Sequence, residues 1–127
     1  MQTQELVQDL LGKIKETSAK VGVVGLGYVG LPFAVEKAKV GFKVLGFDRS
    51  ANRVEMVNRG ENFIGDVDDE ELRSLVGRGF IEATTDMDRL GDMDVLVIAV
   101  PTPLNKNLNP DLQYIEAVTR DIAKPDR

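Results

Sequence analysis

The chain has no cysteine and no histidine among its 127 residues. Without cysteine, disulfides and thiolate chemistry are excluded for these residues. Without histidine, the commonest general base and the commonest metal ligand are both missing, and no metal site is expected. Long apolar runs are also lacking. None approaches the ~20 residues that a bilayer span requires, and the N-terminus does not have the shape of a signal peptide. Positive charge is the minority sign, with 16 Lys and Arg against 21 Asp and Glu and a net charge of −5. That balance argues against a nucleic-acid partner, because a phosphate backbone needs a basic face. What is left is an ordinary globular composition, 43% hydrophobic and 29% charged, of a size that fits one domain. A cytoplasmic location with no membrane association is the expectation.

The most informative segment runs from Val21 to Pro32. A short β-branched run leads directly into G-x-G-x-x-G, at Gly25, Gly27 and Gly30, and an amphipathic helical pattern follows. A second strand pattern ends in Asp48, roughly 20 residues further on. Each glycine has a physical task in this arrangement. Gly25 permits the tight turn, Gly27 lets the backbone approach a pyrophosphate, and Gly30 lets the helix pack closely. The helix N-terminus offers unpaired N–H groups and the positive end of its dipole to an anion. The combination implies dinucleotide binding.

Along the chain, Leu6, Leu10, Leu11 and Ile14 fall at helical spacing within residues 1–19, giving an amphipathic helix before the first strand. Its mixed-sign polar face suits docking on the domain or on a neighbouring subunit better than a membrane. Strands are expected at Lys20–Gly25, Lys43–Phe47, Phe80–Thr84 and Asp94–Val100. Helices are expected from about Tyr28 to Val40, from a Ser50 cap to near Gly60, from an Asp68 cap to Gly77, and from an Asn109 cap with Pro110 to about Ala123. Asp68 and Glu71 have capping-box spacing, and Asp86–Leu90 reads as one further turn. Alternating strands and helices imply an α/β fold, a doubly wound parallel sheet of the Rossmann type over residues 20–127, in strand order 3-2-1-4. No strand pattern follows the last helix. The expectation is therefore a sheet truncated after its fourth strand, as in a fragment of a longer protein, or else one whose exposed edge pairs with another chain, as in a homo-oligomer.

Asp48 is the cofactor-choice candidate, since a carboxylate there accepts from both ribose hydroxyls of NAD and repels the 2′-phosphate of NADP. It can also cap the next helix. Arg49 beside it could accommodate that phosphate. Arg53, one turn into the helix, could stack near the adenine or be a solvated surface arginine. Thr84 and Thr102 end the third and fourth strands at their carboxyl edges, where ligands bind in such sheets, and Pro101 and Pro103 fix the loop around Thr102. The acidic run Asp66, Asp68, Asp69, Glu70, Glu71 lacks the spaced ligands of a calcium loop and reads as a solvated helix start.

Taken together, VGVVGLGYVGLPFA, then GFD followed by Arg53-Val54, then ATTD at 83–86, then DVLVIAVPTPL with PDLQYIEA, resemble the UDP-sugar 6-dehydrogenases from residue 20 onward. The leading helix is similar to the subgroup acting on UDP-N-acetylhexosamines. The resemblance implies oxidation of a sugar 6-hydroxyl to a carboxylate with two NAD in turn, through a cysteine-bound thiohemiacetal and thioester. By position it implies that Gly25, Gly27, Tyr28, Val29 and Gly30 line the pyrophosphate. It implies Asp48 at the adenosine ribose, Arg53 at the adenine side, Thr84 along the cofactor, and Pro101 and Thr102 near the nicotinamide. No catalytic residue carries over: the nucleophilic cysteine, catalytic lysine and asparagine, fifth strand and substrate domain of the family have no counterpart in these residues. The expectation is a cofactor half without its chemistry. A non-catalytic NAD module working through a partner is the alternative, as is another dehydrogenase of the β-hydroxyacid type, against which PTPL with PDLQYIEA argues.

Overall fold

The structure, a computed structural model, describes residues 3–100, 107 and 112–123. Helix α1 (Thr3–Lys15) precedes β1 (Lys20–Val24), α2 (Gly30–Val40), β2 (Lys43–Phe47), α3 (Ala51–Asn58), α4 (Asp69–Gly77) and β3 (Ile81–Thr84). A 3-10 turn (Met87–Asp92), β4 (Val95–Ile98) and α5 (Gln113–Ile122) follow. The four strands pair in parallel in the order β3-β2-β1-β4, the arrangement expected from the alternation of elements. Val24 sits level with Phe47 on one side and Ile98 on the other, so the carboxyl ends of the central strands finish together.

Both faces of the sheet are covered because successive side chains of a strand point opposite ways. Val21, Val23 and Val44 pack with Leu31, Ala34, Val57, Leu72 and Leu75 under α2, α3 and α4. Val24, Leu45 and Phe47 pack with Leu90 and Val118, from the 3-10 turn and α5, on the other face. A continuous apolar strand such as β1 is buried for this reason, as expected of a central parallel strand.

The helix ends follow their sequence signals. Ser50 Oγ accepts from the Arg53 N–H at 3.2 Å, and Asp68 Oδ1 accepts from the Glu70 and Glu71 amides. The reciprocal arm expected of a capping box meets a competitor: Glu71 Oε1 lies 3.4 Å from Lys39 Nζ on α2. Gly41 closes α2 in the left-handed conformation, at φ 118°. Helix α2 begins at Gly30 rather than near Tyr28, so Tyr28 and Val29 form an exposed turn ahead of it. Asn109 and Pro110, expected to start the last helix, lie outside the described residues. The described helix opens after Leu112, without a side-chain cap.

The two sheet edges differ. On α3, the Asn58 carboxamide donates to the Ala83 carbonyl at 2.9 Å and accepts from the Ala83 N–H at 2.8 Å. It occupies the outer side of β3 as a neighbouring strand would. Along β4 the side chains are half-buried or exposed, and among the described residues no strand pairs with its outer edge.

Helix α1 buries none of its side chains, and its apolar stripe of Leu6, Val7, Leu10, Leu11 and Ile14 faces solvent rather than the domain. Among the described residues, its C-terminal end is the part that is fastened. The Ser18 and Ala19 amides donate to the Lys13 carbonyl around Thr17, which is left-handed at φ 56°. Asp94 ties this end to the sheet, accepting from the Lys20 N–H at 2.8 Å and from Lys13 Nζ at 3.2 Å. The Lys20 amide and then the Lys13 ammonium hold the Asp94 carboxyl below its ordinary range, and Asp94 in turn raises Lys13.

Candidate functional site

At the carboxyl ends of β1 and β2 the chain makes the turn that the three glycines foretell, and the three perform separable tasks. Gly25 has φ 98°, and its N–H donates to the Phe47 carbonyl at 2.7 Å. A Cβ at Gly25 would stand 2.5 Å from the Ala99 carbonyl oxygen. At Gly30 a Cβ would stand 1.6 Å from the Gly25 carbonyl oxygen, so the first residue of α2 lies directly against the turn. Gly27 is different: the nearest atom to a Cβ there is Arg53 Nη1, at 3.6 Å. Gly25 and Gly30 are glycines because protein atoms occupy the space. Gly27 leaves its space open. Val29, in the cap position of α2, makes no side-chain cap, so the N-terminal end of the helix is left to whatever lies in front of it.

Asp48 stands at the end of β2, its side chain 11% exposed. One carboxylate oxygen accepts from the Leu26 N–H at 2.9 Å and the other from the Ser50 N–H at 2.9 Å. A carboxylate has about four acceptor positions. Two are spent on fixing the side chain against the glycine turn, and the remainder match the two hydroxyls of one ribose. The capping role that its place in the sequence also allowed falls to Ser50, and Asp48 instead braces the turn between β2 and α3.

The two arginines diverge. Arg53 Nη1 lies 3.7 Å from Asp48 Oδ2, and its guanidinium stands 5.6 Å from the centre of the Phe63 ring. Arg49 turns towards α5, with Nη2 3.9 Å from Asp121 Oδ2.

These residues enclose one cleft of about 650 Å³, inside the roughly 300–1,000 Å³ typical of small-molecule and cofactor sites. Gly25, Gly27, Tyr28, Val29, Asp48, Arg49 and Arg53 all line it, so the glycine turn and the β2 terminus converge as the spacing implied. Gly30 sits buried behind the turn. Thr84 is at the carboxyl end of β3 but outside this lining: its Oγ1 accepts from the Asp86 N–H at 3.0 Å and closes the following turn. Pro101 and Thr102 lie outside the described residues. The apolar floor, from Phe47, Met87, Val100 and Val118, went unnoticed in the sequence. Their only signal is apolar residues at strand ends and on one face of α5, which any core shares.

The residues fit an adenine dinucleotide. An open backbone position faces the cleft at Gly27, an uncapped helix start adjoins it, and a fixed carboxylate with spare acceptor positions stands beside both. Among the described residues no helix is long and apolar enough to cross a membrane.

Comparisons with known proteins agree with this geometry. The model of the NAD-binding domain of the UDP-glucose/GDP-mannose dehydrogenase family matches residues 19–125. An NDP-N-acetyl-D-galactosaminuronic acid dehydrogenase of Ralstonia nicotianae is 42% identical over 104 residues, covering 81% of this chain and 24% of that protein. The UDP-N-acetyl-D-mannosamine dehydrogenase of Escherichia coli is 38% identical over 106 residues, covering 83% of this chain and 24% of its own length. Among solved structures, the GDP-mannose dehydrogenase of Pseudomonas aeruginosa superposes with a TM-score of 0.77 at 36% identity, over 80% of this chain and 24% of that one. The NDP-N-acetyl-D-galactosaminuronic acid dehydrogenase of Methanosarcina mazei gives 0.74 at 35% identity, over 89% and 26%. The chain spans about a quarter of the length of the curated relatives it matches.

Proposed function

The chain belongs to the UDP-glucose/GDP-mannose dehydrogenase family as its NAD-binding domain, and from that premise we propose that it serves as the cofactor half of an enzyme oxidising the 6-hydroxyl of a UDP-N-acetylhexosamine to a uronate. The names of the curated relatives, which act on N-acetylated amino sugars, support that substrate class. NAD held by these residues would supply hydride acceptance, and the two-step oxidation to a uronate would draw on two NAD in turn.

In this reading the chain's residues bind and orient. The turn from Gly25 to Gly30 lies against the pyrophosphate, and the start of α2 compensates its charge. Asp48 accepts from the adenosine ribose, and Arg53 faces the adenine. Phe47, Met87, Val100 and Val118 exclude water from the cofactor's inner side. The covalent steps on sulfur belong elsewhere, because these 127 residues contain no cysteine. This chain by itself therefore binds NAD and oxidises no sugar.

The observation that carries the reading is Gly27, whose missing side chain leaves a gap that no protein atom fills, beside a carboxylate already fixed in place. Calorimetric titration with NAD and NADP tests it. Binding of NAD in preference to NADP, lost in Asp48→Ala, is the expected result. Binding of neither, or a preference for NADP, overturns it.

A further inference from the structure

We propose that Arg53, held between the Phe63 ring and Asp48, tempers the site's rejection of a 2′-phosphorylated dinucleotide and so sets the width of its cofactor selectivity. This rests on the NAD reading above. Asp48 alone would repel a 2′-phosphate, because that group would sit against a carboxylate that also takes the ribose hydroxyls. Here the carboxylate is not alone. Arg53 Nη1 is 3.7 Å from Asp48 Oδ2 and within 3.6 Å of the position a Gly27 Cβ would take, so a fixed positive charge stands at the same corner of the cleft. Arg49, the other cation next to Asp48 in sequence, is drawn towards Asp121 on α5.

Arg53 is held by more than its ion pair. Phe63 lies half-buried against the main core cluster, and the guanidinium is 5.6 Å from the centre of its ring, within cation–π range. The loop that carries Phe63 is itself fixed. Gly60 enters it at φ 72°, and the Asn62 side chain accepts from the Ile64 N–H at 2.8 Å and donates to the Val67 carbonyl. Phe63 is therefore a positioning residue. It touches Arg53, and Arg53 is the group that meets the ligand.

The Arg53 side chain is 47% exposed, so its charge acts through a largely aqueous dielectric. A unit charge about 4 Å from another in such a medium changes affinity roughly fivefold. The readout is the ratio of the dissociation constants of NADP and NAD, measured by titration calorimetry on this chain at low ionic strength. Arg53→Gln raises that ratio about fivefold, and added salt shrinks the difference. Arg53→Lys keeps the charge and holds the ratio near wild type while weakening both ligands, because the planar stacking surface is lost. Phe63→Leu keeps an apolar side chain in the core but frees the guanidinium, and raises the ratio by a smaller factor.

An unchanged or lowered ratio in Arg53→Gln overturns the inference about Arg53. An unchanged ratio in Phe63→Leu overturns the positioning role. Wild-type binding of NAD with either of these results leaves the NAD reading standing. Wild-type binding of neither dinucleotide removes that reading and this inference with it.

Discussion

The same substitution at two glycines three positions apart in one turn separates folding from binding. In Gly30→Ala the new Cβ starts 1.6 Å from the Gly25 carbonyl oxygen, and contacts under 3.0 Å do not occur in real proteins. The backbone must open by at least the difference, 1.4 Å, and the obstacle is a carbonyl of the turn rather than the end of a flexible side chain. Forced backbone displacement of that kind belongs to the class of substitutions costing more than about 4 kcal/mol. Against a total stability of roughly 5–15 kcal/mol, and at about 3–5 °C per kcal/mol for a domain of this size, the melting temperature falls by ~12 °C or more, or the chain does not fold. Gly27→Ala meets only Arg53 Nη1, at 3.6 Å, and Gly27 lies outside the left-handed region. Its melting temperature stays within about 3 °C of wild type, because the fold loses nothing and the unfolded chain loses a little freedom. NAD affinity nevertheless falls at least about tenfold, since a methyl group now occupies the approach to the pyrophosphate. Thermal melts followed by circular dichroism, with calorimetric titration of the variants that fold, read both quantities. A Gly27→Ala protein that binds NAD like wild type would refute the assignment of its gap to the ligand. A Gly30→Ala protein with an unchanged melting temperature would refute the packing argument.

Asn58→Ala strips both hydrogen bonds from Ala83, and at about 0.5–1.5 kcal/mol each the urea midpoint falls by an amount worth ~1–3 kcal/mol; no shift, together with unaltered exchange of the Ala83 amide, would show that water replaces the carboxamide at no cost. The lowered pKa of Asp94 makes a carboxylate contribution to stability that is fully present above its unfolded value, near 3.8, and is lost as pH falls through the lower folded value. Denaturation midpoints measured down the acid limb therefore decline less steeply in Asp94→Asn than in wild type, and parallel profiles would exclude Asp94 as a contributor.

Strand order, sheet type and the glycine turn were legible because their signals are local. The apolar continuity of Val21–Val24, the Gly25-Gly27-Gly30 spacing and the Ser50 and Asp68 caps each act within a few residues of themselves. What escaped depends on residues meeting across the fold. Phe63 beneath Arg53 pairs positions 10 apart through a loop whose shape comes from Asn62. Asn58 meets Ala83, and Asp94 meets Lys13, over separations that no periodic pattern encodes. Local rules also yield to such meetings: Glu71 has the spacing of a capping box and answers Lys39. Thr84 lies at a strand end where ligands commonly bind, yet its hydroxyl serves the turn that follows. The α1 stripe shows a third kind of gap, since helical periodicity finds an apolar face without saying which way it points.

By taking both outward hydrogen-bonding groups of Ala83, Asn58 blunts the β3 edge of the sheet. A sheet open on both sides can recruit neighbours without end, which is how fibres grow. Here the outer edge of β4 is the side without a paired strand among the described residues, and recruitment through Ala83 would first have to displace Asn58. A strand added beside β4 would present a new edge of its own, whereas the same edge of a second molecule about a two-fold axis would leave a blunted β3 edge at each end. One side chain thus makes the two edges of the sheet unequal as places for another strand to add.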